Sequence, residues 1–184
     1  MQRATFLTAA ARQGEWWRAF TATWLHADAG HLAMNAVLGG LLLGLAMGRF
    51  GGGLAGAAAL LAGAGANLIA PFIRQQDYNG LGASGVVMAA LGLLTAQMMA
   101  WWRHSWRATR LILAALMAGS WLFLALGTSP QGDILVHALG FALGIAFGGF
   151  LALLPDRWTP RLNQAGWVIT ILLVLIPWWW ALRG

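Results

Sequence analysis

His137 stands in Ile-Leu-Val-His-Ala-Leu-Gly-Phe, residues 134–141, a stretch with no other polar side chain. Imidazole titrates near neutrality, so it is the side chain suited to take a proton and give it back. A hydroxyl within hydrogen-bond reach would complete a nucleophile–base pair. Ser84 is the candidate, in Gly-Leu-Gly-Ala-Ser-Gly, residues 80–85, which opens an apolar run. Its glycine neighbours leave the hydroxyl accessible. A helix start also leaves backbone N–H groups free to face developing negative charge, which is what an oxyanion hole requires. His31 and Asn35 are spaced i and i+4, so both project from one helix face, and each can donate a hydrogen bond. The chemistry on offer is acyl transfer. Ser84 would be the nucleophile and His137 the base, with His31, Asn35 and the Ser84 N–H as oxyanion donors. Each residue also has an ordinary structural use: a serine in a helix contact, a polar pair sealing two helices, or His31 capping its span. Asp133, four residues before His137, could orient the imidazole as the acid of a triad does, although an aspartate in a loop is ordinarily just solvated.

The elements that position these residues are membrane helices. Hydrophobic residues make up 60% of the 184-residue chain and charged residues 9%, against about 25% charged in a soluble domain. Six apolar spans are expected, at His31–Met47, Leu54–Phe72, Ala83–Trp102, Leu111–Leu126, Ile134–Leu154 and Gly166–Leu182. A lipid-exposed segment must satisfy its own backbone, and the alternation of barrel strands is absent, so the spans are helices. The fold class is an all-α polytopic membrane protein. Residues 1–30 form an N-terminal external segment, 31–154 the core helices, and 155–184 a loop and a last helix. Trp101, Trp102, Trp106 and Trp178 to Trp180 fall at span ends, where indoles anchor to the interface. Polar groups at membrane depth cost several kcal/mol, about 2.5 upward, unless partnered. That cost is what makes Ser84, His137, His31 and Asn35 informative.

The net charge of +6 comes from arginine alone, because the chain has no lysine. Alternate loops carry Arg49, then Arg103, Arg107 and Arg110, then Arg157 and Arg161, and this side is expected to be cytoplasmic. The opposite loops carry Arg74, Asp77 and Asp133. Ser84, His31 and His137 then lie near the outer ends of their helices. Arginines placed mostly in short inter-span loops do not suggest a nucleic-acid partner. Absence of cysteine removes disulfides, thiol nucleophiles and thiolate metal sites. No metal is expected: His26 and His31 lack a third ligand, and His104 belongs to the arginine-rich side. No cofactor is implied.

At these residues the chain resembles the rhomboid family of intramembrane serine proteases. The resemblance is carried by Glu15-Trp16-Trp17-Arg18, His26, His31-x-x-x-Asn35, Gly82-x-Ser84-Gly85 and His137-x-x-Gly140-x-x-x-Gly144, in family order over about residues 14–150. It implies a Ser84–His137 dyad in a cavity open to the outer face of a bacterial inner membrane. The oxyanion would be held by His31, Asn35 and the Ser84 N–H. Substrates would be transmembrane proteins within the lipid bilayer, cut in or near their spans. Gly140 and Gly144 would let the fifth span press on the third at Gly85.

The chain departs from the family pattern in places. The helix usually found before the tryptophan–arginine loop is missing, and an extra C-terminal helix is present. Met88 stands where many bacterial members have an aromatic residue behind the imidazole. A first helix absent would leave a groove of small residues facing lipid, and would strand Arg12 and Arg18 outside against the charge bias. An apolar span of about 20 residues ahead of Met1 is therefore expected in the natural product. The alternatives are a specialised rhombosortase, an inactive or weakly active relative that binds membrane helices, and a small transporter. A transporter would show paired repeats, and the chain shows none.

Overall fold

The protein is described by a computed structural model covering residues 4–74, 77–102, 107–128, 132–155 and 159–183. Arg3, Arg103, His104, Trp106 and Arg157 lie outside the described residues, as do the side chains of Trp101 and Trp102. An N-terminal segment carries strand β1 (Phe6–Leu7), helices α1 (Thr8–Arg12) and α2 (Arg18–Thr21), and a 3-10 turn at Ala22–Trp24. Six long helices follow: α3 (Ala29–Phe50), α4 (Gly52–Ile73), α5 (Ser84–Trp102), α6 (Ala108–Gly127), α7 (Ile134–Ala152) and α8 (Thr159–Arg183). Strand β2 (Asn79–Gly80) lies between α4 and α5 and pairs antiparallel with β1, Phe6 opposite Gly80.

The helices α3, α4, α6, α7 and α8 are each long and apolar enough to cross a bilayer. Helix α5 has 19 residues and no charge; at 1.5 Å per residue it reaches about 28 Å, close to the hydrocarbon thickness. It forms the centre of the bundle, packed by α3, α4, α6 and α7. Its Val87, Met88, Ala89, Ala90, Leu91 and Leu93 are all buried. Helix α4 is the other interior element: 67% of its apolar stretch is buried, against 17% for α3, α6 and α8. Its run of alanine and glycine explains this, because small side chains let neighbours close in on every face.

Glycine sets the tightest contact. A Cβ on Gly140 would sit 2.5 Å from the Gly85 carbonyl oxygen, and one on Gly144 2.2 Å from that of Ala89. On Gly148 it would meet Leu93 at 2.9 Å. The four-residue repeat therefore lays α7 directly against the backbone of α5, the neighbour expected from the sequence.

The expected spans match the helices to within a few residues, except the last. Helix α8 begins at Thr159, seven positions before the apolar run at Gly166. Pro160 suits a first turn, and the polar turn with Asn163 extends the helix beyond what hydropathy registers. That turn has a task. Gly51 ends α3 with φ +90°, and the chain re-enters helix at Gly52. Asn163 Oδ1 accepts the N–H of Gly53 at 2.8 Å and of Leu54 at 3.3 Å, capping α4 from another helix. Gly53 and Gly166 permit it, since a Cβ on Gly53 would meet the Asn163 carbonyl oxygen at 2.1 Å. We expect Asn163→Ala to cost about 1 kcal/mol, the usual worth of an N-cap. A lowered detergent melting temperature checks this; an unchanged one would deny the cap.

Candidate active site

The turn that delivers Ser84 is held from two sides. Gly82 has φ +123°, a conformation that favours glycine. Its N–H donates to the Ala22 carbonyl at 2.9 Å, where α2 passes into the 3-10 turn. The helix then starts at Ser84, with the Val87 N–H bonded to the Ala83 carbonyl at 3.0 Å. Ser84 thus occupies a first-turn position, where a helix supplies no partner for the backbone N–H.

On the other side of Gly82 lie His31 and Asn35 of α3. A Cβ on Gly82 would stand 2.7 Å from His31 Cε1, 2.9 Å from His31 Nε2 and 3.9 Å from Asn35 Nδ2. Glycine is required twice over, for φ and for space. Asp28 caps α3 by accepting the His31 N–H at 2.8 Å, which fixes where the imidazole leaves the helix. Asn35 is buried, and its Nδ2 donates to the His31 carbonyl at 3.1 Å. The His26 ring meets His31 edge-on at 5.2 Å between centroids. Burial, and then the neighbouring His31, pull the His26 pKa below its ordinary value. A cavity of about 320 Å³ beside this turn is lined by His26, Asn35, Ala36, Gly39, Gly40 and Ala83 among others.

His137 arrives on the first turns of α7 and is buried. Its Nε2 lies 2.7 Å from Ser84 Oγ, and its Nδ1 lies 2.5 Å from the Gly127 carbonyl oxygen. A carbonyl only accepts, so Nδ1 carries a proton, and in a neutral ring that leaves Nε2 to accept the Ser84 hydroxyl. The Gly127 carbonyl, and not Asp133, is thus the partner of His137 Nδ1. Asp133 instead caps α7, accepting the N–H groups of Leu135 and Val136 at 3.1 and 3.2 Å, and pairs with Arg74. Arg74 also lies over the Tyr78 ring at 4.1 Å. The Tyr78 pKa is pushed up to about 12, by burial first and then by Asp133, so the hydroxyl stays neutral. Met88 Sδ would stand 3.1 Å from a Cβ on Gly127, so this methionine packs behind the carbonyl that holds the ring.

The remaining motif residues sit one layer away. Arg18 is buried, paired with Glu15 and donating to the Thr5 carbonyl at 3.1 Å. Trp17 stacks on Trp180 of α8. Gly85 lies under α7, where a Cβ would meet Val136 at 3.2 Å. Sequence reasoning passed over Asn67 in α4, whose Nδ2 donates to the Ala19 carbonyl at 3.0 Å and pins α2. The signal was there: a carboxamide within an apolar span, the same signal that singled out Asn35. Gly127 carried none, because its contribution is a backbone carbonyl.

A serine hydroxyl and an oriented imidazole, joined by a hydrogen bond within a helical membrane bundle, define a class of site with the parts for acyl transfer. The chain belongs to the rhomboid family: the Rhomboid domain matches residues 13–155. It is 31% identical to RHOMBOID-like protein 4 of Arabidopsis thaliana over 155 residues, 83% of this chain and 38% of that protein. It is 30% identical to RHOMBOID-like protein 6, mitochondrial, of the same plant, over 83% of this chain and 47% of that protein. The chain thus spans less than half the length of these relatives. No solved structure matches it. The matched region contains every residue of the site and ends before α8.

Proposed function

We propose that the protein is an intramembrane serine endopeptidase that cuts transmembrane proteins in or near their spans. The observation that carries this reading is the contact between Ser84 Oγ and His137 Nε2, with Nδ1 held by a backbone carbonyl. Ser84 Oγ attacks the scissile carbonyl carbon as its proton passes to His137 Nε2. The resulting oxyanion is held by the Ser84 N–H, His31 and Asn35. The C–N bond breaks as His137 returns the proton to the leaving amine. Water then attacks the acyl-enzyme with His137 again as base, and Ser84 is released.

The site opens to the external side in this reading. Arg49, Arg107, Arg110 and Arg161 mark the opposite end of the bundle, and arginine-rich loops stay cytoplasmic. The alternative of a relative that binds membrane helices without cutting them would have no use for a nucleophile bonded to a base. Rhombosortase-type specialisation shares the same chemistry and differs in substrate.

The test is cleavage of a model transmembrane substrate by purified protein in liposomes. Asn35→Ala should lower turnover by about 10² to 10³, the usual cost of one oxyanion donor, with KM little changed. Full activity in Asn35→Ala would remove it from the oxyanion site, and absence of cleavage by the unaltered protein would reject the protease reading.

A further inference from the structure

Helix α8 lies beyond the matched family region, yet it is bound to the bundle at both ends. At one end Asn163 caps α4 and Gly166 meets Gly53 backbone to backbone. Along its middle, Leu173 and Val174 pack on the cluster of Phe6, Ala19, Phe20, Leu60 and Ala64. At the other end the Trp180 ring stacks on Trp17, centroids 5.6 Å apart and planes 15° from parallel. Trp179 braces Trp180 edge-on at 5.5 Å and carries Arg183 over its own face at 4.0 Å.

Trp17 immediately precedes α2, and from there the contacts lead to the nucleophile in three short steps. The Thr21 N–H donates to the Trp17 carbonyl at 3.0 Å. Thr21 Oγ in turn donates to the Ala4 carbonyl at 2.8 Å, so the segment is closed on itself. The adjoining Ala22 carbonyl accepts the Gly82 N–H at 2.9 Å, two residues before Ser84. A four-residue helix cannot hold itself in place; something outside must fix its position. Asn67 fixes one side of α2 through the Ala19 carbonyl, and α8 covers another.

We propose that α8 is a strut for the Ser84 turn, and that Trp180 and Trp17 are positioning residues acting through α2 and the Ala22–Gly82 hydrogen bond. Asn163, at the far end of the same helix, anchors the strut without bearing on the turn. Two effects that a merely structural helix would merge are therefore separate. Loss of Asn163 lowers stability; loss of Trp180 loosens the turn.

The kinetic arm rests on the protease reading above; the exchange arm does not. Full-length Trp180→Ala, Trp180→Phe and Asn163→Ala proteins are compared in the same detergent. Amide hydrogen exchange over residues 78–83 is measured, together with kcat and KM on a transmembrane substrate. In Trp180→Ala we expect faster exchange at Gly82 and a kcat lowered about tenfold or more, since small misplacements of a reacting group are costly, with KM little changed. Trp180→Phe, which keeps a stacking ring, should restore most of both. Asn163→Ala should melt earlier while exchange over 78–83 and kcat per folded molecule stay as in the unaltered protein. Unchanged exchange at Gly82 in Trp180→Ala would overturn the strut. So would equal effects of Asn163→Ala and Trp180→Ala on kcat at equal loss of melting temperature. If the unaltered protein cleaves nothing, the protease reading falls, and exchange at Gly82 alone decides the strut.

Discussion

Ser84→Ala and His137→Ala are each expected to remove proteolysis almost completely, and the double variant to be no worse than either. A nucleophile and its base act as one unit, so losing either member costs about as much as losing both, on the order of 10⁶ in turnover. Both side chains meet at 2.7 Å inside the bundle, and neither replacement needs the helices to move. Ser84 opens α5, and its hydroxyl is bonded to His137. His137→Ala leaves the Gly127 carbonyl without its partner but keeps the glycine contacts of α7. The variants should therefore stay folded, with melting temperatures within a few degrees of the unaltered protein. Cleavage of a reconstituted transmembrane substrate, followed by mass spectrometry of the fragments, reads the effect. Multiplicative losses in the double variant would mean that the two residues act independently, and the dyad would be wrong.

The second large effect is expected from Gly140→Ala. A single methyl group there would lie 2.5 Å from the Gly85 carbonyl oxygen, against 3.4 Å or more for ordinary contact. Neither partner is a flexible side chain, so α7 must back away from α5 by about 1 Å, and overpacking of this kind costs about 1–3 kcal/mol. The displacement falls one turn from His137 and next to Ser84. Misplacing a reacting group by about 1 Å costs about 10² in rate, so activity should fall about a hundredfold in protein that remains folded. Gly149→Ala, on the same helix, is the matched comparison, because a Cβ there meets nothing within 4 Å. It should leave both activity and melting unchanged. If Gly140→Ala were as active as Gly149→Ala, the helix contact would not be what sets the distance between base and nucleophile.

How much of this was legible beforehand follows from what each feature is made of. Ser84, His137, His31 and Asn35 declared themselves because polar groups are costly at membrane depth, and the glycines of α7 because a four-residue repeat marks one helix face. The partner of His137 Nδ1 was not legible. It is a backbone carbonyl, and any residue at position 127 would present one. Asp133 drew attention by its spacing, but it stands at the α7 N-cap, where its carboxylate is drawn to Leu135, Val136 and Arg74. The start of α8 was missed because hydropathy detects the part of a helix that lipid covers, and the turn with Asn163 is polar. Trp180 was expected as an interfacial anchor. It remains 45% exposed, yet one face is stacked on Trp17, a pairing across 163 positions that no local pattern announces. The β1–β2 pairing and the bonds from Thr21, Asn67 and Gly82 appear only once the chain is folded.

The central claim is that Ser84 is a nucleophile activated by His137, and covalent labelling tests it most directly. Purified protein in detergent is exposed to a fluorophosphonate, and the modified peptide is identified by mass spectrometry. The account predicts a single adduct on Ser84, formed slowly or not at all in His137→Ala and absent in Ser84→Ala. Labelling of unaltered protein at another residue, or equal labelling of Ser84 with and without His137, would contradict it.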